Sequence, residues 1–312
     1  MAAYIIRRLL YTIPIVFGVL LLTFVLIKVV GGDISREIAG KNASPETIAE
    51  IKKEYGLDKP LILSWNSQFI DHFKRAITFN FGQSLDREYI TDKIIRGAGP
   101  SLSITVPMFF GEVCVAISLA LVVAFVQGSK WDILTVVLCV IGMSLPFLSY
   151  IMFGQYFLAY KWSIFPVFYD PGALTVYNVA LPVAIGIMAG LGGELRFYRT
   201  VMLDEMRSDY VRTAFAKGLA TKNVLFKHVL KNAMIPIITR LVLGIPFLFL
   251  GSLLLERFFG IPGLGYLMVE AVNARDYFVI SAMTYIGSLL FVIFNLISDV
   301  CYAIVDPRVS LE

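Results

Sequence analysis

Six separate runs of this chain are apolar for long enough to cross a lipid bilayer, which takes about 20 residues of helix. They lie at roughly 9–30, 101–127, 132–158, 174–193, 235–255 and 281–305. Hydrocarbon offers no water to an unpaired backbone group, so each run has to be helical. The expected fold is therefore an all-α membrane protein with six transmembrane helices. Composition agrees: 16% of the residues are charged and 58% are hydrophobic, whereas soluble domains carry about a quarter charged. A soluble enzyme and a disordered chain are both excluded. Pro14, Pro107, Pro146, Pro182 and Pro246 fall inside the runs, and membrane helices tolerate proline better than soluble ones. The first run follows Arg7 and Arg8 and is 22 residues long, too long for a signal peptide, so it reads as an uncleaved anchor.

Lys and Arg in short loops set orientation. With the N-terminus in the cytoplasm, inner segments hold thirteen basic residues and short outer loops hold only Lys161, Arg257 and Arg275. Both termini are thus expected inside. Four parts follow along the chain: an N-terminal anchor helix, 1–30; an extracytoplasmic helical segment, 31–100; a five-helix core, 101–305, carrying a cytoplasmic loop at 194–234; and a cytoplasmic tail, 306–312. In the outer segment, Ser44-Pro45-Glu46 is a helix start. Gly56 stands where that helix would be capped. A second amphipathic helix is expected over 61–79, with Ile62, Trp65, Phe69, Phe73 and Ile77 at helical spacing. This segment either caps the bundle or docks an external partner.

The cytoplasmic loop is too long for a simple turn. Counted to Arg240 it holds nine basic and four acidic residues. Tyr210, Val211, Ala214 and Phe215 share one helical face. Gly218 follows where a helix would turn. Thr221 is placed to cap a second helix carrying Val224, Leu225, His228 and Val229 on one face. Helix, glycine turn, helix is the expected order. Such a unit either fits a groove in a soluble partner and passes on its movement, or lies on anionic lipid.

Ionisable groups inside a span are costly and mark candidate sites. Glu112 sits near mid-span in the second run. Lys28 and Glu256 lie near run ends, where snorkelling accounts for them. Asp299 shares a face with Ser288, Asn295 and Tyr302, and that stripe must face protein or water. Glu112, Asn295 and Asp299 are candidates for the translocation path or for bundle packing. Gly186-x-x-x-Gly190 reads as helix packing, and Gly260, Gly263 and Gly265 as a tight outer turn. Cys114, Cys139 and Cys301 fit neither a disulfide framework nor a metal site; His228 reads as a capping or packing residue.

The run Asp209-Tyr-Val-Arg-Thr-Ala-Phe-Ala-Lys-Gly-Leu219, continuing to His228-Val-Leu-Lys-Asn-Ala-Met-Ile-Pro236, resembles the "EAA" loop of ABC importer permeases. More narrowly it resembles the B-type membrane subunit of the oligopeptide/dipeptide/nickel family. Tyr4-Ile-Ile-Arg-Arg8, Gly56-Leu-Asp-Lys-Pro-Leu61, Phe259-Gly-Ile-Pro-Gly-Leu-Gly265, Arg275-Asp-Tyr277 and Asp306-Pro-Arg308 are similar to other motifs of that family, in the same order. Departures stand at Arg212, where the general pattern has an acid; at Phe278, where a proline is frequent; and at Asn80-Phe-Gly-Gln-Ser84.

The resemblance implies a multi-pass subunit of a bacterial or archaeal plasma (inner) membrane. Thr213, Ala214, Lys217, Gly218 and Leu219 would form the coupling helix and its turn, seated in an ATP-binding subunit. The implied partners are a second permease subunit, two ATP-binding subunits, an extracytoplasmic solute-binding protein and membrane lipid, with no nucleic acid. ATP and Mg would be bound by the partner subunits. No phosphate loop occurs here, since Gly40-Lys41 is followed by Asn42 and lacks the upstream glycine. No catalytic residue, metal or cofactor is expected in this chain. The implied solute is a di- or oligopeptide, with nickel chelates, glutathione and oligosaccharides open. The competing reading is an ion-gradient-driven secondary transporter built around Glu112.

Overall fold

A computed structural model describes residues 2–25, 43–54, 56–61, 66–172 and 175–305, together with Ser35, Ala39 and Ser64. Ile62 and Trp65 of the expected outer helix and the tail from Asp306 lie outside these residues. The helices are α1 (Ala2–Val25), α2 (Pro45–Glu54), α3 (Gln68–Ile77), α4 (Ile90–Phe125), α5 (Lys130–Ser144), α6 (Phe147–Gly154), α7 (Thr175–Met206), α8 (Asp209–Ala216), α9 (Thr221–Val224), α10 (Lys231–Leu250), α11 (Leu253–Phe259), α12 (Leu264–Asn273) and α13 (Tyr277–Val305). Wider π turns extend α6 over Gln155–Lys161 and join α9 to α10 over Leu225–Leu230. No strand occurs among the described residues beyond an isolated bridge between Gln83 and Tyr89.

Among the described residues, four helices are long and apolar enough to cross a membrane, or five if one bent pair counts as a crossing. The apolar part of α1, Leu10–Val25, is shorter. The bent pair replaces the single helix expected over 132–158. Its halves, Lys130–Ser144 and Phe147–Lys161, meet at 93°. Pro146 has no N–H and disfavours helical backbone at Leu145, which is extended there. The Tyr150 hydroxyl donates to the Gly142 carbonyl at 2.9 Å and satisfies a group near the break. Pro107 and Pro182 stay inside continuous helices.

The chain divides into two compact units. The first comprises Met1–Ala98 and Leu267–Leu296. Here α2 begins as its sequence dictates: the Thr47 N–H donates to Ser44 Oγ at 3.2 Å. The amphipathic helix starts at Gln68, later than its spacing suggested, because Ser67 caps it. Phe69 lies edge-on to Phe17 and Phe24 of α1, with ring centroids 5.9 and 5.3 Å away. Asp276 starts α13, accepting from the N–H groups of Phe278 and Val279. The same carboxylate accepts from Ser84 Oγ and the Leu85 N–H and so fixes that loop.

The second unit comprises Gly99–Tyr266 and Ile297–Glu312. In it α7 packs on α5, α6 and α10. Asp132 is 6% exposed and holds Arg199 through two hydrogen bonds of 2.7 and 2.8 Å. Two apolar clusters lie along the bundle. One joins Ala116, Ala120, Ala124, Tyr198, Met202, Val211, Val224 and Val229; the other joins Ile104, Ile151, Leu181, Leu255 and Phe259. Outward faces remain apolar: Phe110, Val122, Ile133, Leu138 and Phe153 are exposed, as lipid contact requires and water would penalise.

Candidate functional site

The second unit carries three features of functional interest. The first is the segment between α7 and α10. Ser208 precedes α8 in extended backbone, and Val211 and Ala214 turn into the apolar cluster beneath it. Tyr210 and Phe215 do not join that face as their spacing suggested; they are 38% and 43% exposed. Burial and a hydrogen bond to the Glu205 carboxylate push the Tyr210 phenol above its usual pKa. Gly218 closes the helix at φ 75°, a conformation glycine adopts without a Cβ clash. Its N–H donates to the Phe215 carbonyl at 2.9 Å, and the Leu219 N–H to the Ala214 carbonyl at 3.3 Å. Thr213, Lys217, Gly218 and Leu219 are exposed, whereas Ala214 is buried. Ala220, not Thr221, stands at the N-cap of α9, and no side chain caps this helix. Val224, Leu225 and Val229 are buried, and His228 is half-buried. The result is an exposed knuckle with a fixed base, ringed by Arg207, Arg212, Lys217, Lys222 and Lys227, all exposed.

The second feature is a cavity of about 450 Å³ between α4, α5, α7 and α10. Gly186 and Gly190 let α4 approach α7. A β-carbon at Gly186 would meet the Met108 side chain, and one at Gly190 the Glu112 carboxylate. The glycine pair thus packs helices and also opens space in the cavity wall. Phe109, Phe147 and Phe247 supply aromatic surface. Glu112 is the only charged side chain among the described lining residues. Arg240 and Glu194 lie within electrostatic range of it and pair with each other at 2.7 Å. A mostly apolar hollow with one charged side chain and a few hydroxyls, from Thr105, Tyr150 and Ser252, suits passage or binding of a small solute.

The third feature was not recognised in the sequence. Glu256 does not snorkel; it is fully buried. Its carboxylate accepts from Ser101 Oγ at 2.8 Å, from the Ser252 N–H at 3.0 Å and from the Tyr266 N–H at 2.9 Å. Ser101 Oγ in turn accepts from the Leu264 N–H at 2.7 Å. Gly263 and Gly265 are needed for closeness here: a β-carbon on either would strike Glu256, Ser101 or the Leu253 backbone. Among the remaining candidates, Asn295 lies half-buried on α13 in the first unit. Ser288, on the same helix, borders a narrow gap with Val16 and Val19 of α1. The side chain of Asp299 lies outside the described residues. No cluster of His, Cys, Asp or Glu suited to a metal occurs among the described residues.

Comparison with known proteins decides the class. The pattern of the binding-protein-dependent transport system inner membrane component matches residues 116–311, and that family's N-terminal pattern matches residues 1–84. The chain belongs to this family. It is similar to the glutathione transport system permease protein of Shigella flexneri serotype 5b, with 34% identity over the full length of both chains. It is also similar to the oligopeptide transport system permease protein of Bacillus subtilis, 34% identical over 99% of this chain and all of that one. The dipeptide transport system permease protein of Alkalihalophilus pseudofirmus is 30% identical, again over 99% of this chain and all of that one. This permease is therefore a multi-pass plasma-membrane subunit of a binding-protein-dependent ABC importer. It works with other transporter subunits and has no ATPase site or cofactor of its own.

Proposed function

We propose that this permease is one half of a heteromeric translocation unit, completed by a second permease subunit, two ATP-binding subunits and an extracytoplasmic solute-binding protein. ATP and Mg are held by the ATP-binding subunits, and the binding protein delivers solute to the outer face. The observation that carries this reading is the exposed knuckle at 209–230, whose Gly218 turn presents Thr213, Lys217 and Leu219 on a base anchored by Val211 and Ala214. A rigid projection ringed with cations suits a complementary groove on a soluble subunit. Movement there changes access to the Glu112 cavity, which is the solute path in this reading, while Asn295 and Asp299 serve packing within the bundle. Six crossings result when α1 and the bent pair are counted with the four long helices. Exposed Trp131 and Trp162 at the two ends of the bent pair support its crossing, since tryptophan favours the interface. The loop charges support cytoplasmic termini. Relatives named for glutathione, dipeptide and oligopeptide transport support a di- or oligopeptide solute.

Purification from the native membrane in mild detergent tests the assembly. Two ATP-binding subunits and a second permease should be recovered in near-stoichiometric amounts; recovery of the chain alone, under conditions that preserve a known complex, would defeat the reading. Gly218→Pro tests the knuckle, because proline cannot adopt φ 75°. The variant should insert and assemble, yet lose at least about tenfold of its ATP-driven uptake. Normal uptake would remove the coupling role.

A further inference from the structure

A second hollow, of about 260 Å³, lies wholly within the first unit. Two kinds of side chain meet there. Phe24 of α1, with Phe81 and Tyr285, forms an apolar wall. Lys53, Lys59 and Arg75 also line the hollow. Lys59 is neutralised by Asp71 at 2.5 Å. Lys53 and Arg75 are exposed and make no ion pair among the described residues. The hollow therefore carries two uncompensated positive charges beside aromatic surface.

Its depth is set by α13: Tyr277 and Ser281 belong to the first turns of this membrane-crossing helix, which Asp276 caps. Helix ends of this kind stand at the level of lipid headgroups, where a cation is worth most against an anionic phosphate. The apolar route into the hollow is also present: Phe17 and Leu21, which share a helical face with Phe24, are exposed. An acyl chain lying along that face would bring its phosphate to Lys53 and Arg75.

We propose that this hollow binds an anionic phospholipid, its phosphate held by Lys53 and Arg75 and its upper acyl chain against Phe24, Phe81 and Tyr285. The site shares no lining residue with the Glu112 cavity, and it does not depend on which solute is carried.

The transporter complex, reconstituted in nanodiscs of phosphatidylcholine with one-tenth phosphatidylglycerol, is analysed by native mass spectrometry after detergent release. The wild type should retain phosphatidylglycerol well above its share of the bilayer. A Lys53→Gln, Arg75→Gln double variant should lose that excess about tenfold, with phosphatidylcholine retention unchanged. Ser281→Trp, which leaves every charge and fills the hollow, should lose it as well and serves if the double variant does not assemble. Equal retention by wild type and variants overturns the site. Displacement of phosphatidylglycerol by soluble glycerol phosphate at matched concentration overturns the lipid in favour of a free phosphate ligand. Loss of the excess only when the solute-binding protein is present overturns it in favour of a protein partner.

Discussion

Two carboxylates inside the second unit have opposite surroundings. Glu256 is sealed from solvent and accepts three hydrogen bonds from three segments of chain. Glu112 lines an open cavity, with glycine opposite it. A buried polar group is stable when every partner is supplied, and its neighbours then become rigid. A group facing a cavity has partners left to find, and a passing solute can be one of them. The contrast teaches that an ionisable residue within a membrane span marks function only when its environment leaves it unsatisfied.

Substitutions can break or sharpen this contrast. Glu256→Ala strips the acceptor from a buried hydroxyl and two part-buried N–H groups, a loss of about 4 kcal/mol. The purified complex should unfold far below the wild-type temperature, or fail to accumulate. Gly265→Ala comes next. Its β-carbon would lie 2.8 Å from the Leu253 nitrogen, and backbone cannot step aside, so about 2–3 kcal/mol should be lost in the same unfolding assay. Gly190→Ala meets only the movable end of Glu112. The carboxylate can swing into the cavity, and the cost should stay near ~1 kcal/mol. Glu112→Gln should change stability least, by under about 0.5 kcal/mol, while uptake in reconstituted vesicles falls about tenfold. A Glu112→Gln protein as unstable as the Glu256→Ala variant would erase the distinction between the two sites.

The apolar runs made the helical class legible, because hydrocarbon permits little else. The Gly218 turn was legible too, since no residue but glycine follows an amphipathic helix there so readily. The bend at Pro146 was not. Pro107 and Pro182 sit in similar apolar sequence and leave their helices continuous; what differs is the fold around Leu145. Glu256 was misread because Ser101, its side-chain partner, is 155 residues away. Near a run end, a carboxylate with distant partners has the same local pattern as one reaching for water. The knuckle was half legible: spacing placed Val211 and Ala214 correctly but could not show that Tyr210 and Phe215 lie at the edge of that face.

The length of α7 has a mechanical consequence. Its 32 residues span about 48 Å at ~1.5 Å per residue, against a hydrocarbon layer of about 30 Å. One end meets α8 at Met206, and Gly190, in the cavity wall, lies about 24 Å back along the same rod. A helix clamped at its flank by Arg199 and Asp132 has little elastic slack over that distance. In the coupling proposed above, a push of a few ångströms at the knuckle would arrive at the cavity as a displacement of the wall, with the helix acting as a pushrod.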